Sequence, residues 1–212
     1  MFKDIESPEF SKRLELVTTV LLAATALLAA WNGFQAARWT VRQGTALRLM
    51  LASRLQAAQY TTQGAQQQII DVMLFSDWLQ ASAAKQQELE LFYRQRFRPE
   101  FKPAFEEWLA LNPMQNSSAP PSPFALATYQ VANLKQAAEF EKQADEQTAL
   151  IQKASANVTA YVTNTLYMAT ALFFLGISRT FAMTRVRLAL VVLAAVLFAF
   201  GLYNILTTET VL

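Results

Sequence analysis

The stretch Leu188-Ala-Leu-Val-Val-Leu-Ala-Ala-Val-Leu-Phe-Ala-Phe-Gly-Leu-Tyr-Asn-Ile-Leu206 decides the fold. It holds no Asp, Glu, Lys or Arg. Two more blocks share that property, Leu16–Trp31 and Val158–Ile177. Each block approaches the ~20 residues that a helix needs to cross ~30 Å of hydrocarbon. The 53% hydrophobic content of the 212 residues is thus an average over two materials. Outside the blocks the chain is polar, charged and rich in Gln and Ala. The expected fold class is an all-α membrane protein with three transmembrane helices. An antiparallel, coiled-coil-like helical domain outside the membrane joins the first to the second. The expected spans are residues 15–33, 158–177 and 188–206, with 34–157 as the outer domain.

Charge sets the orientation. The loop 178–187 carries Arg179, Arg185 and Arg187 and no acid, whereas the tail 207–212 has one Glu and no base. Short loops report most reliably under the positive-inside rule. The loop and segment 1–14 are therefore expected in the cytoplasm, with the domain and the tail outside. Residues 33–55 oppose this, since Arg38, Arg42, Arg48 and Arg54 lie there with no acid. The rule weakens for long translocated domains, so the short loop decides. Segment 1–14 precedes an apolar run longer than a signal peptide's and contains three acids, which favours an uncleaved anchor.

Composition excludes much chemistry. There is no His and no Cys. Imidazole acid–base catalysis, thiol nucleophiles, Fe–S clusters and ordinary zinc sites are excluded. Adjacent acids such as Glu106–Glu107 diverge by ~100° on a helix and do not converge on one reacting atom. No Gly-rich phosphate loop occurs. The chain is expected to be no enzyme, to hold no metal or cofactor, and, at a net charge of +2, to bind no nucleic acid.

The outer domain reads as helical. No proline lies between Pro8 and Pro99 or after Pro123. Ala137, Phe140, Ala144, Ile151, Ala154, Val158 and Tyr161 trace one seam, predicting a continuous helix over 125–177. The outgoing stretch carries a weaker seam of Leu47, Leu51, Ala58, Ala65, Ile69 and Val72. As one helix, residues 34–97 would rise ~95 Å against ~50 Å for 125–157, so the outgoing stretch must break and fold back. A break is expected near Gln80–Lys85, followed by a helix over Lys85–Phe97 and another over Pro103–Leu111. Phe92, Phe97, Phe101, Phe105 and Trp108, with Leu74 and Trp78, are the expected distal aromatic core. Asn112–Pro123 reads as an irregular loop.

Three segments resemble an uncharacterised family of bacterial inner-membrane proteins. They are Trp31-Asn-Gly-Phe-Gln-Ala-Ala-Arg-Trp39, Phe92-Tyr-Arg-Gln-Arg-Phe-Arg-Pro-Glu-Phe-Lys-Pro-Ala-Phe-Glu-Glu-Trp-Leu109 and Ala119-Pro-Pro-Ser-Pro-Phe124. The resemblance implies a bacterial source and three transmembrane helices. The family has no established activity, so it implies no site residues.

Four candidate sites follow. Thr25, Ala29, Gly33 and Ala37 recur every four residues, a small-residue ridge suited to close helix packing within the chain or between copies. Thr159, Thr163 and Thr170 share one face of the second span beside Tyr167. They read either as packing hydroxyls or as the lining of a pore within a homo-oligomer. Arg38, Arg42 and Arg48 suit lipid headgroups or an anion-attracting vestibule. Arg94, Arg96 and Arg98 read as inter-helix ion pairs or as a patch for another membrane or periplasmic protein. The expected function is a non-enzymatic membrane protein that self-assembles into a homo-oligomer and forms an ion-conducting pore. A scaffold or sensor subunit whose outer domain binds a partner is the alternative.

Overall fold

The structure, a computed structural model, describes residues 8–211. Among them are five α-helices and no strand: α1 (Pro8–Ala83), α2 (Gln87–Arg96), α3 (Lys102–Ala110), α4 (Ala132–Ser178) and α5 (Thr184–Thr207). Helices α1, α4 and α5 are each long and apolar enough to cross a membrane. The N-terminal residues 1–7, including Lys3, Asp4 and Glu6, and residue 212 of the expected tail lie outside the described residues.

The chain divides into two compact units. The first comprises residues 1–48 and 148–212, the second residues 49–147. In the first, one end is built from Leu14, Ala171, Leu175, Val191 and Ala194, with Phe10 and Leu188 packed against them. Arg179 of the α4–α5 loop donates to Thr19 Oγ1 at 2.7 Å, which places that loop beside the start of α1. Another cluster joins Trp39, Ala154, Tyr161 and Val211.

The second unit folds back as the rise arithmetic requires. Helix α1 stops at Ala83, and Lys85 takes a left-handed conformation (φ 59°) that turns the chain. The Gln86 N–H reaches back to the Ala81 carbonyl at 3.0 Å, meeting an acceptor that the helix end leaves open. Helix α2 has Glu88 and Glu90 in its first turn and Arg94 and Arg96 in its last, matching its dipole. It ends ahead of Pro99. Pro103 lies in the first turn of α3, and Asn112 (φ 50°) turns the chain after it. The seven buried or half-buried residues of the predicted α4 seam all face inward. Two details of that stretch differ from expectation. Pro123–Ala125 is a 3-10 turn, and α4 begins only at Ala132.

Six aromatic residues, Phe75, Trp78, Phe97, Phe101, Phe105 and Trp108, form the core of the second unit. Phe75 was not among those expected. It makes edge contacts at 5.2 Å with Trp108 and 5.5 Å with Phe124. Phe92 does not join the core. It is 44% exposed, and the Arg96 guanidinium lies 3.4 Å above its ring. Phe97, at the C-cap just past α2, is buried.

The outgoing seam is also different. Ala58, Ala65, Leu47, Leu51, Ile69 and Val72 are exposed. The buried stripe of α1 in this unit is Ala57, Gly64, Asp71, Phe75 and Trp78. Small residues win because they admit the partner helix: a Cβ at Gly64 would sit 2.5 Å from Leu134 Cδ2. Large side chains cannot enter that space and turn outward.

Candidate functional site

In the first unit buried polar groups follow the inner side of α1 and meet α4 at Asn164. Thr18, Thr25, Asn32 and Gln35 of α1 and Asn164 of α4 are buried. The Asn164 amide nitrogen donates to Asn32 Oδ1 at 3.2 Å and to the Gly201 carbonyl at 3.0 Å, linking α1, α4 and α5. Gly201 permits this approach. A Cβ there would overlap Met168 Cε and stand 2.9 Å from Asn164 Oδ1. Thr18 and Thr25 return their hydroxyl protons to Leu14 and Leu21 carbonyls, so they pack without seeking a partner.

Of the small-residue ridge, Thr25 is buried and Ala29 half-buried, whereas Gly33 and Ala37 are exposed. Four residues advance a helix by ~400°, so each step drifts ~40° and the ridge turns away from the bundle. The stripe that stays inside, Thr18, Thr25, Asn32 and Trp39, steps by seven residues.

Thr159, Thr163 and Thr170 lie on the exposed side of α4. Thr170 donates to its own helix at the Leu166 carbonyl, 2.8 Å away. Tyr167 is half-buried and packs edge-on against Phe200 at 5.1 Å. Val162, Leu166 and Phe173 are exposed beside the threonines. Asn164, off this face, is the polar centre of the bundle.

The arginines divide by role. Arg38 lies 5.9 Å from the Phe34 ring and Arg42 5.4 Å from the Trp39 ring, while Arg48 is exposed. In the second unit Arg54 pairs with Glu141 and Asp145 of α4. Arg94 grips Glu106 through Nη2, 2.7 Å from each carboxylate oxygen. Arg98 meets the fully buried Asp71 side on, Nε to Oδ1 at 3.0 Å and Nη2 to Oδ2 at 2.9 Å. The Tyr129 hydroxyl donates to the same Oδ2 at 3.0 Å. Hydrogen bonding to Asp71 raises the Arg98 pKa, and burial pushes the Tyr129 phenol up, with the Asp71 charge adding to it. Arg94 and Arg98 are thus engaged inside the unit. Arg96 stays on the surface over Phe92.

The side of α1 away from its seam is the conspicuous surface. Leu47, Leu51 and Leu55 in one stretch and Ile69, Val72 and Met73 in the next are 43% to 62% exposed. At ~100° per residue they fall within about a third of the helix circumference. Next to the second group a groove of about 500 Å³ is lined by Ala65, Ile69, Val72, Met73, Phe124 and Tyr129. No group of three or more acidic residues converges as a metal site among the described residues. No family model, curated protein or solved structure matches this chain, so its own surfaces carry the functional argument.

Proposed function

We propose that this chain is a non-enzymatic integral membrane protein of a bacterial inner membrane. It self-assembles into a homo-oligomer through the helices outside its spans and serves as a membrane-anchored scaffold. One observation carries the reading: α1 has two stripes, and only one has a partner. The small-residue stripe receives α4. The stripe of Leu47, Leu51, Leu55, Ile69, Val72 and Met73 is left to solvent. Aliphatic residues repeated along one face of a solvated helix mark an interaction surface. The N-terminus and the Arg179–Arg187 loop face the cytoplasm in this reading, and the helical domain faces the periplasm. Arg38 and Arg42 then sit at the level of outer-leaflet phosphates.

The chain has no cysteine, which makes the test direct. Single cysteines at Leu51 or Val72 are oxidised in native membranes, with an exposed control off the stripe at Gln56. Covalent dimers from Leu51→Cys and Val72→Cys, and few from Gln56→Cys, support the reading. Equal yields from all three, or none, overturn it. Pull-down through the same surface that recovers another membrane or periplasmic protein in place of self-contacts would assign the stripe to that partner.

A second reading is a pore between copies, lined by α4. Its motivation is that Thr159, Thr163 and Thr170 face outward from the bundle. Conductance in planar bilayers that changes with Thr163→Val or Thr170→Val supports it. Absence of conductance across voltage and tension rejects it.

A further inference from the structure

Glu209–Val211 does not trail away from α5. It occupies a notch between α1 and α4 in the first unit. The fully buried Gln35 donates from Nε2 to the Val211 carbonyl at 3.2 Å and accepts the Val211 N–H at Oε1 at 2.9 Å. The Trp39 indole N–H donates to the Glu209 carbonyl at 3.0 Å, and the Tyr161 hydroxyl donates to the same oxygen at 3.1 Å. The Val211 side chain, 2% exposed, packs with Trp39, Ala154 and Tyr161. At the rim Lys153 Nζ lies 2.8 Å from the Glu209 carboxylate. The Thr210 side chain is exposed and unread.

A side-chain amide that satisfies both the N–H and the C=O of one residue copies what a neighbouring strand would do. Four hydrogen bonds here address main-chain atoms. Side-chain selectivity comes only from an apolar pocket and a rim cation. The notch therefore reads an extended segment of the pattern acidic, any residue, small aliphatic. Withdrawal of the tail would leave the Gln35 amide and the Trp39 N–H without the main-chain partners they have here. The vacated notch offers the same partners to any segment of that pattern. Every copy of the chain carries both the notch and its ligand, so exchange between neighbours requires no new chemistry.

We infer that the Gln35–Trp39–Tyr161 notch is a peptide-binding site, filled in the isolated chain by its own Glu209–Val211 and, in the assembled protein, by the same segment of a second copy. This deepens the self-association reading and rests on it.

The test uses full-length chains in membranes and a short bismaleimide. Ala154→Cys and Val211→Cys together in one chain report docking by an intrachain link. Receptor copies with Ala154→Cys, co-expressed with donor copies carrying Val211→Cys, report exchange by an interchain link. Adding Glu209→Lys to the receptor copy sets its own tail against Lys153 and should raise the interchain yield roughly fivefold. Adding Gln35→Leu to the receptor should lower it about tenfold. Trp39→Phe keeps a smaller aromatic ring, deletes the N–H and should give a smaller loss of the same sign. Interchain yield that is absent, or indifferent to Gln35→Leu and Trp39→Phe, overturns the exchange. Stripe crosslinks at Val72→Cys that persist in that case leave the self-association reading standing, and their loss removes it as well.

Discussion

Replacing Arg98 by Met should damage the second unit more than replacing its partner Asp71 by Asn. The two groups are not equally placed. Asp71 is fully buried, while the Arg98 side chain keeps 17% of its surface in water. Arg98→Met strands a carboxylate with only the Tyr129 hydroxyl to face it. Breaking a buried pair this way costs about 3–5 kcal/mol. Asp71→Asn keeps an acceptor for one guanidinium N–H, and Arg98 can turn toward solvent, so the loss is about 1–3 kcal/mol. At ~4–8 °C per kcal/mol for a domain of this size, Arg98→Met should lower the melting temperature by at least ~12 °C. Removing both charges as Arg98→Met/Asp71→Leu should recover most of the loss, because matched apolar residues often replace a buried pair without penalty. Near-ultraviolet circular dichroism of the aromatic cluster in detergent follows the transition. A double variant melting as low as Arg98→Met, or Asp71→Asn melting lower than it, would refute the reasoning.

Three further outcomes follow from the packing. Gly201→Ala should destabilise the first unit by about 1–3 kcal/mol, because the new methyl overlaps the buried Met168, whereas Gly33→Ala, with nothing within 4 Å, should be neutral or better; denaturant titration of both variants separates them. Asn164→Leu leaves Asn32 Oδ1 without its donor, removes the second donor of the Gly201 carbonyl and should cost about 1 kcal/mol in the same assay. Holding the Tyr129 phenol neutral contributes stability below its ordinary pKa of about 10, and that contribution is lost as pH rises past it. Tyr129→Phe should therefore blunt alkaline unfolding and remove the latest-ionising component of a phenolate absorbance titration; an unchanged curve would count against the Asp71 contact.

Much of the architecture follows from punctuation and length. Proline placement bounded the helices, and the unequal rise of the two arms demanded the reversal now seen at Lys85. The departures share one cause. Apolar periodicity ranks residues by size, but close helix packing selects small ones. Leu51, Ile69 and Val72 looked like a seam and are surface, while Ala57 and Gly64 carry the contact. In the first unit a four-residue ridge competed with a seven-residue stripe, and the supercoil period decided the matter at Gly33 and Ala37. Phe75 escaped notice because its neighbours Leu74 and Trp78 already filled the expected core. Nothing local announces that Glu209–Val211 docks. The available signal was Gln35, an amide close to Asn32 on the inner side of α1 that needs both a donor and an acceptor nearby.

The polar stripe of α1 also bears on how the protein is made. In a membrane-spanning chain the first helix enters the bilayer before α4 and α5 have been synthesised. Asn32 then lacks Asn164, and Gln35 lacks the tail that arrives 176 residues later. Both amides must reside in or near the lipid without their final partners, a state that Thr18 and Thr25 avoid by bonding to their own helix. In such a chain α1 would be a provisional guest until Asn164 and Val211 had been translated, and a nascent chain halted short of them would present an incompletely satisfied helix.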